Sequence, residues 1–165
     1  MISPRRLDGR FWRIVSPRGS HDPLSGEGAA RHGGRWNRPG TPALYLSHEV
    51  ETAFAEYQQE LGTRPGTFVA YEVTGATVFD LTDPATADAL GVAAGDLAAP
   101  WKELAFVRRL DPPGWLTADR LGAAADGLLV PSVQRSGGIN LVLWRWNSEA
   151  GPTVTFHDPV SDLAP

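Results

Sequence analysis

A chain of 165 residues suits one domain, large enough to bury roughly two-thirds of the surface of its unfolded form without a metal or a disulfide. Hydrophobic residues make up 42% and aromatic residues 9%, which excludes a disordered composition, and the lack of cysteine excludes disulfide frameworks, thiolate zinc sites and cysteine nucleophiles. The net charge of −4 argues against a general nucleic-acid binder, because phosphate recognition shows as a basic excess.

Lys102 is the only lysine; every other basic side chain is an arginine. Arginine is the better fork for planar phosphate and carboxylate groups, although a GC-rich genome gives the same bias. Met1 to Trp12 is polar and arginine-rich, unlike an export signal, and no run approaches the ~18 apolar residues of a spanning helix. The expectation is a cytoplasmic chain with no membrane segment and no direct contact with nucleic acid.

In chain order, Phe11–Val15 reads as a short strand. Pro17 to Pro42, rich in glycine and proline, reads as a long irregular loop, of the kind that is functional or mobile, and is expected among the more mobile parts. Ala43–Leu46 reads as a buried strand, and Ser47 as the N-cap of a helix. Val50, Ala53, Phe54, Tyr57 and Leu61 space one apolar face of that helix, and Gly62 stops it. Phe68–Val73 and Thr77–Leu81 read as two strands joined by a turn at Thr74-Gly75. Asp83-Pro84 opens a short helix ending near Gly91, and Leu97–Leu110 reads as a helix stopped by Asp111-Pro112-Pro113-Gly114. Thr117 reads as the cap of another helix reaching about Ala125; Gly127–Val133, Ile139–Trp146 and Thr153–Phe156 read as strands. This order lacks the strict alternation of a doubly wound sheet and predicts an α+β domain with largely antiparallel sheets.

The usual signatures of chemistry are missing. There is no Gly-x-Gly-x-x-Gly, no phosphate-loop Gly-Lys-Ser/Thr and no Gly-x-Ser-x-Gly elbow, and His21, His32, His48 and His157 have no paired ligand spacing, so no metal is expected.

Four features remain. Gly33-Gly34-Arg35-Trp36-Asn37 sets an arginine and an aromatic beside two glycines, a pattern that suits phosphate and flat-ring contact or a plain turn with Trp36 packed inward. Tyr45-Leu46-Ser47 ends a strand before a helix, where sites gather and where a buried tyrosine and a cap are equally at home. Glu56 falls about 120° from the apolar face at about 100° per residue, beside Glu49 and Glu60, which alone reads as a solvated acidic strip. Ser132, after Val130-Pro131 and before Gly137-Gly138-Ile139-Asn140, offers a hydroxyl to a ligand or to its own turn.

Taken in order, these segments resemble the RES family, the toxin half of bacterial toxin–antitoxin pairs, named for its Arg, Glu and Ser. The resemblance begins at Phe11-Trp12-Arg13-Ile14-Val15 and continues through Gly33-Gly34-Arg35-Trp36-Asn37, Ala43-Leu44-Tyr45-Leu46-Ser47, Ala53-Phe54-Ala55-Glu56 and Asp126-Gly127-Leu128-Leu129-Val130-Pro131-Ser132. It spans about residues 11–146 of what reads as a single RES domain over 1–165.

The resemblance implies an ADP-ribosyltransferase-like fold: two facing, mostly antiparallel sheets with flanking helices and a cleft for NAD⁺. It implies cleavage of the nicotinamide–ribose bond by hydrolysis or phosphorolysis, with NAD⁺ as substrate and no cofactor. Glu56 would stabilise the oxocarbenium character of the ribose, as in glycosidic cleavage generally. Arg13, Arg35 and Tyr45 would complete the catalytic set, and Arg13, Arg35, Trp36, Tyr45, Ser132 and Asn140 would bind substrate. The implied partner is an antitoxin of Xre type that blocks the cleft and carries any DNA contact. A mono-ADP-ribosyltransferase acting on a protein, and a non-catalytic NAD⁺- or ADP-ribose-binding module, are the alternative readings.

Overall fold

In the computed structural model, which describes residues 1–59 and 62–163, alternating apolar and polar residues build two long strands, β1 (Arg5–Val15) and β3 (Thr67–Asp80). They pair antiparallel from Arg5↔Val78 to Val15↔Thr67, with ion pairs such as Arg10–Glu72 at 2.6 Å on the exposed side. The first strand is thus longer than Phe11–Val15, because its polar half is carried by pairing rather than by burial. The two strands expected around Thr74-Gly75 are one. Between the pairs Leu7↔Ala76 and Gly9↔Val73, β3 holds two residues against one on β1, a bulge in which Gly75 has φ +76°. The extra residue rephases the alternation, so that Val69, Tyr71, Val73 and then Ala76 and Val78 all enter one core.

The remaining strands are β2 (Leu44–Ser47), β4 (Gly127–Pro131), β5 (Ile139–Leu143) and β6 (Thr153–Phe156). On its other edge β3 pairs antiparallel with β6 and then parallel with β4; β4, β5 and β2 follow antiparallel. The result is a six-stranded mixed sheet, ordered β1-β2-β5-β4-β3-β6, that returns on itself through β1–β3. The ladder between β1 and β2 is the single register pair Trp12↔Ser47.

Helices flank this sheet: α1 (Glu27–His32), α2 (Val50–Gln58), α3 (Pro84–Ala89), α4 (Ala94–Leu97) and α5 (Pro113–Leu121). β4 and β5 read as nearly continuous apolar runs because both faces are covered. One face joins Phe11, Leu44, Leu46, Tyr71 and Val78, and the other packs Phe79, Leu81, Ala87, Leu121 and Trp36. Among the described residues no helix is long and apolar enough to cross a membrane.

Several local expectations change. Glu49, not Ser47, occupies the N-cap position of α2, since Ser47 is still in the ladder of β2. Leu61 and Glu60 lie outside the described residues. Asp83 caps α3 as expected, accepting from the N–H groups of Ala85 and Thr86. The helix expected over Leu97–Leu110 is broken: Pro100 lacks the N–H an uninterrupted helix requires, leaving α4 before it and a π-helical turn, Glu103–Val107, after it. Pro113 opens α5 rather than ending a helix, so Thr117 lies buried inside it and caps nothing. β4 and β5 stop before Val133 and Trp146. The segment from Pro17 to Pro42 is not irregular throughout, for it contains α1.

Candidate active site

The loop after α1 is held by its own polar groups. Asn37 is 1% exposed; its amide donates to the carbonyls of Ala29 and Thr41, both at 2.8 Å, and its Oδ1 accepts from the Tyr45 hydroxyl at 2.7 Å. That hydroxyl in turn accepts from the Trp36 N–H at 3.0 Å. Gly34 passes so close to Tyr45 and Asn37 that a β-carbon there would collide with both, and Gly33 has φ +73°. From outside, Trp115 Nε1 donates to the Gly34 carbonyl and Trp144 Nε1 to the Trp36 carbonyl, each at 2.8 Å. Arg38 is clamped to Asp119 by two guanidinium nitrogens and to Asp111, over the face of Trp115. The Trp36 ring, at 2% exposure, belongs to the core; the guanidinium of Arg35 donates to the Ala99 carbonyl at 2.5 Å.

Opposite this loop stands Glu56. On α2 the residues turned furthest inward are Thr52 and Ala53, while Phe54 is 43% exposed and stacks on Phe68. The buried side of the helix is therefore rotated away from the face the apolar spacing predicts. Glu56, one turn after Thr52, points into the molecule and not along a solvated strip. Its Oε1 accepts from Ser132 Oγ at 2.6 Å and from Asn140 Nδ2 at 2.7 Å. Among the described residues none donates to Oε2, and no buried side-chain polar atom is left without a partner, so Oε2 opens to the cavity that Glu56 lines. Behind these donors, Asn140 Oδ1 accepts from Ser47 Oγ at 2.8 Å, and Ser132 Oγ accepts from the Arg135 N–H at 3.0 Å. Arg135 ties its loop to α2 through Glu49 and Thr52.

Pairing explains the convergence. Asn140 sits between Ser47 on β2 and Val130 on β4, and Ser132 follows Val130 by two residues on the same face. Burial draws the Arg35 guanidinium down from its usual value, while the charge of Glu56 and the proximity of Tyr45 pull it up. Burial likewise pushes the Tyr45 phenol well up, so it is a protonated donor at neutral pH. On β1, Arg13 lies against Tyr71, whose phenol burial raises and Arg13 partly lowers; the Tyr71 hydroxyl donates to the Pro23 carbonyl at 2.7 Å.

Several of these side chains border a cavity of about 1060 Å³, at the upper end of ligand-site volumes. Arg13, Arg35, Tyr45, Glu56 and Asn140 line it; Trp36 borders it with a buried ring, and Ser132 reaches it only through Glu56. Arg135 was not singled out by sequence, and Ser47 only as the end of Tyr45-Leu46-Ser47, without its link to Asn140. Ser47 reads as an ordinary cap, and only the β2–β5 register, which one chain does not display, sets it against Asn140. Trp101, Lys102 and Phe106 line the cavity as well, from the segment around the π-helical turn. Among the described residues no three histidine or acidic side chains group as a metal site.

A mixed sheet with flanking helices, a broad cavity and a carboxylate braced from behind define a small protein of mixed α and β structure with charged and polar side chains gathered in one cleft. A model of the RES domain matches residues 10–164, and the chain belongs to that family. It is similar to proteins named NAD(+) phosphorylase MbcT, from Mycobacterium bovis and Mycobacterium tuberculosis, at 31% identity over 151 residues, covering 81% of this chain and 73% of theirs. Its fold is similar to the crystal structure of the M. tuberculosis MbcT–MbcA toxin–antitoxin complex, with a TM-score of 0.66 at 22% identity, over 94% of this chain and 87% of that one.

Proposed function

We propose that this chain is the toxin of a toxin–antitoxin pair and consumes NAD⁺, cleaving its nicotinamide–ribose bond with inorganic phosphate as acceptor. The observation that carries this reading is Glu56, braced on Oε1 by Ser132 and Asn140, with Oε2 open to a cavity that also holds Arg35. As the C–N bond to nicotinamide lengthens, positive charge grows on the ribose, and a fixed carboxylate stabilises that charge more than it stabilises the ground state. Phosphate then bonds to the ribose anomeric carbon, nicotinamide leaves with the bonding pair, and the second product is the 1-phosphate of ADP-ribose. Arg13 and Arg35 hold the pyrophosphate through charge-assisted bonds, and Tyr45 brackets the nicotinamide ribose. Ser132 and Asn140 serve chiefly by holding Glu56, and Trp36 by anchoring the loop of Arg35. The likeness to NAD(+) phosphorylases supports phosphate over water or a protein side chain as acceptor.

The finer fold reading is part of the same proposal. The one-residue β1–β2 pairing and the three-residue β3–β4 pairing support division into two facing layers, β1-β3-β6 and β2-β5-β4, as in ADP-ribosyltransferases. The partner is an Xre-type antitoxin that covers the cleft, and the chain acts in the cytoplasm.

The test is nicotinamide release from NAD⁺ by the purified chain, with and without phosphate, beside Glu56→Gln. Turnover that requires phosphate, with Glu56→Gln at least about a hundredfold slower, is the expected result. A wild-type chain inert toward NAD⁺ in phosphate defeats the proposal.

A further inference from the structure

We infer that Ser47 is a positioning residue for Glu56, acting through the side chain of Asn140. The inference rests on the reading of Glu56 as the reactive carboxylate, though its first test does not.

Ser47 is 4% exposed and Asn140 9%, and their side chains meet at 2.8 Å with the hydroxyl donating to Oδ1. An amide has one accepting and one donating end, and which end faces Glu56 decides the sign of the contact. With Oδ1 engaged by Ser47, the NH₂ end is presented to Glu56 Oε1 at 2.7 Å. Turned over, the amide would set its oxygen against the carboxylate oxygen, replacing a charge-assisted bond with a repulsion. Removal of the Ser47 hydroxyl also leaves Oδ1 without its donor inside the protein, a state that favours displacement of the amide. Ser132 supplies the second bond to the same oxygen, so without Ser47 the carboxylate rests on one firm donor and one loosened one.

The pairing makes this contact rigid. Ser47 and Asn140 are register partners on adjacent strands, and Ser47 is also where β2 meets β1, opposite Trp12. The hydroxyl therefore comes from backbone fixed on both sides, which is how a support holds a reactive group within a fraction of an ångström. The other titratable groups coupled to Glu56 are the charged Arg35, from the loop after α1, and the neutral Tyr45 phenol, from β2, and neither bonds to the Ser47 hydroxyl.

The experiment compares wild type, Ser47→Ala, Asn140→Ala and the double variant. It uses NMR titration of the Glu56 carboxyl and kinetics of nicotinamide release from NAD⁺ in phosphate. Weaker bonding to the charged form favours protonation, so the Glu56 carboxyl is expected to hold its proton to higher pH in Ser47→Ala than in wild type. It is also expected to lower kcat about tenfold with KM within twofold, and to shift the acid limb of kcat upward. In the Asn140→Ala background Ser47→Ala should change neither quantity further, because the path to Glu56 is already cut. A Ser47→Ala protein with wild-type Glu56 titration, whatever its melting temperature, overturns the inference. So does an undiminished effect of Ser47→Ala when Asn140 is absent. If Glu56 shifts as stated while wild type fails to cleave NAD⁺, the positioning stands and the proposed function falls.

Discussion

Trp115 donates its indole N–H to the carbonyl of Gly34 at 2.8 Å, so α5 grips from the back the loop whose next residue is Arg35. The pyrophosphate-binding arginine proposed here is thereby set by an element that does not itself line the cavity. Trp115→Phe keeps most of the ring and its packing but leaves that carbonyl without its donor. A loss of about 1–2 kcal/mol in urea unfolding is expected. The KM for NAD⁺ should rise roughly three- to tenfold, with kcat less affected, because Arg35 serves binding. A variant as destabilised as this with unchanged KM separates the grip of Trp115 from the placement of Arg35.

Gly34→Ala tests the same loop from within. The added methyl group meets the Tyr45 hydroxyl and Asn37 Oδ1, which hold each other and the Trp36 N–H, so something must shift. A destabilisation of about 1–3 kcal/mol is expected, with activity reduced beyond the stability loss because Tyr45 is displaced. Gly95→Ala is the internal control: it lies in α4 with open space around its β-position and no positive φ. Its stability should be unchanged or higher by up to about 1 kcal/mol. Equal losses for the two variants would show that the collision at Gly34 does not matter.

Most elements and the ordered site motifs were legible in the sequence, because periodicity and motif order are local. Phe11–Val15, Ala43–Leu46 and the capped helix at Asp83-Pro84 appear close to where their residues predict. What escaped depends on pairing. The apolar spacing of Val50, Phe54 and Tyr57 sets Glu56 on a solvated flank, whereas packing rotates α2 so that Thr52 and Glu56 turn inward and Phe54 outward. The bulge at Gly75 looks like a turn until β1 is laid beside it. Ser47 looks like a cap until Asn140 stands opposite. In each case a long-range neighbour outweighs a short-range preference.

Asp80 predicts an acid limb of stability. Burial raises its carboxyl, but bonds from the Thr82 hydroxyl and N–H and from Arg5 outweigh that and leave it below its ordinary value. A carboxyl depressed in the folded state contributes stability that is present above its unfolded value, about 3.9, and is lost as pH falls through the folded one. Urea midpoints of wild type should therefore fall as pH is lowered from about 4 toward 2.5. Asp80→Asn, less stable at pH 6, should show a shallower fall over that window. Parallel curves for the two proteins would mean that Asp80 titrates as it does in the unfolded chain.

Hydrogen exchange should divide the segment from Pro17 to Pro42, expected from sequence to be mobile, into two parts. Its later half is held by donated N–H groups: Gly33 to the Ala29 carbonyl at 2.8 Å, Gly34 to that of Asn37 at 3.0 Å, and Gly40 to that of Ala30 at 2.6 Å. Trp36 adds its bond to the Tyr45 hydroxyl, and Asn37 fastens both ends of the loop from a buried position. Among the described residues nothing accepts from the N–H groups of Arg18, Ser20 or His21, which stand in turns before α1. Exchange at these three should be close to that of a free peptide, and the amides of Gly34 and Trp36 should be slower by at least about a hundredfold. Because Tyr45 and Asn37 close that hold together, Tyr45→Phe should release Trp36 while leaving Gly40 protected. Fast exchange at Gly34 and Trp36 in the wild-type chain would mean that the loop of Arg35 is ordered by ligand and not by its own hydrogen bonds.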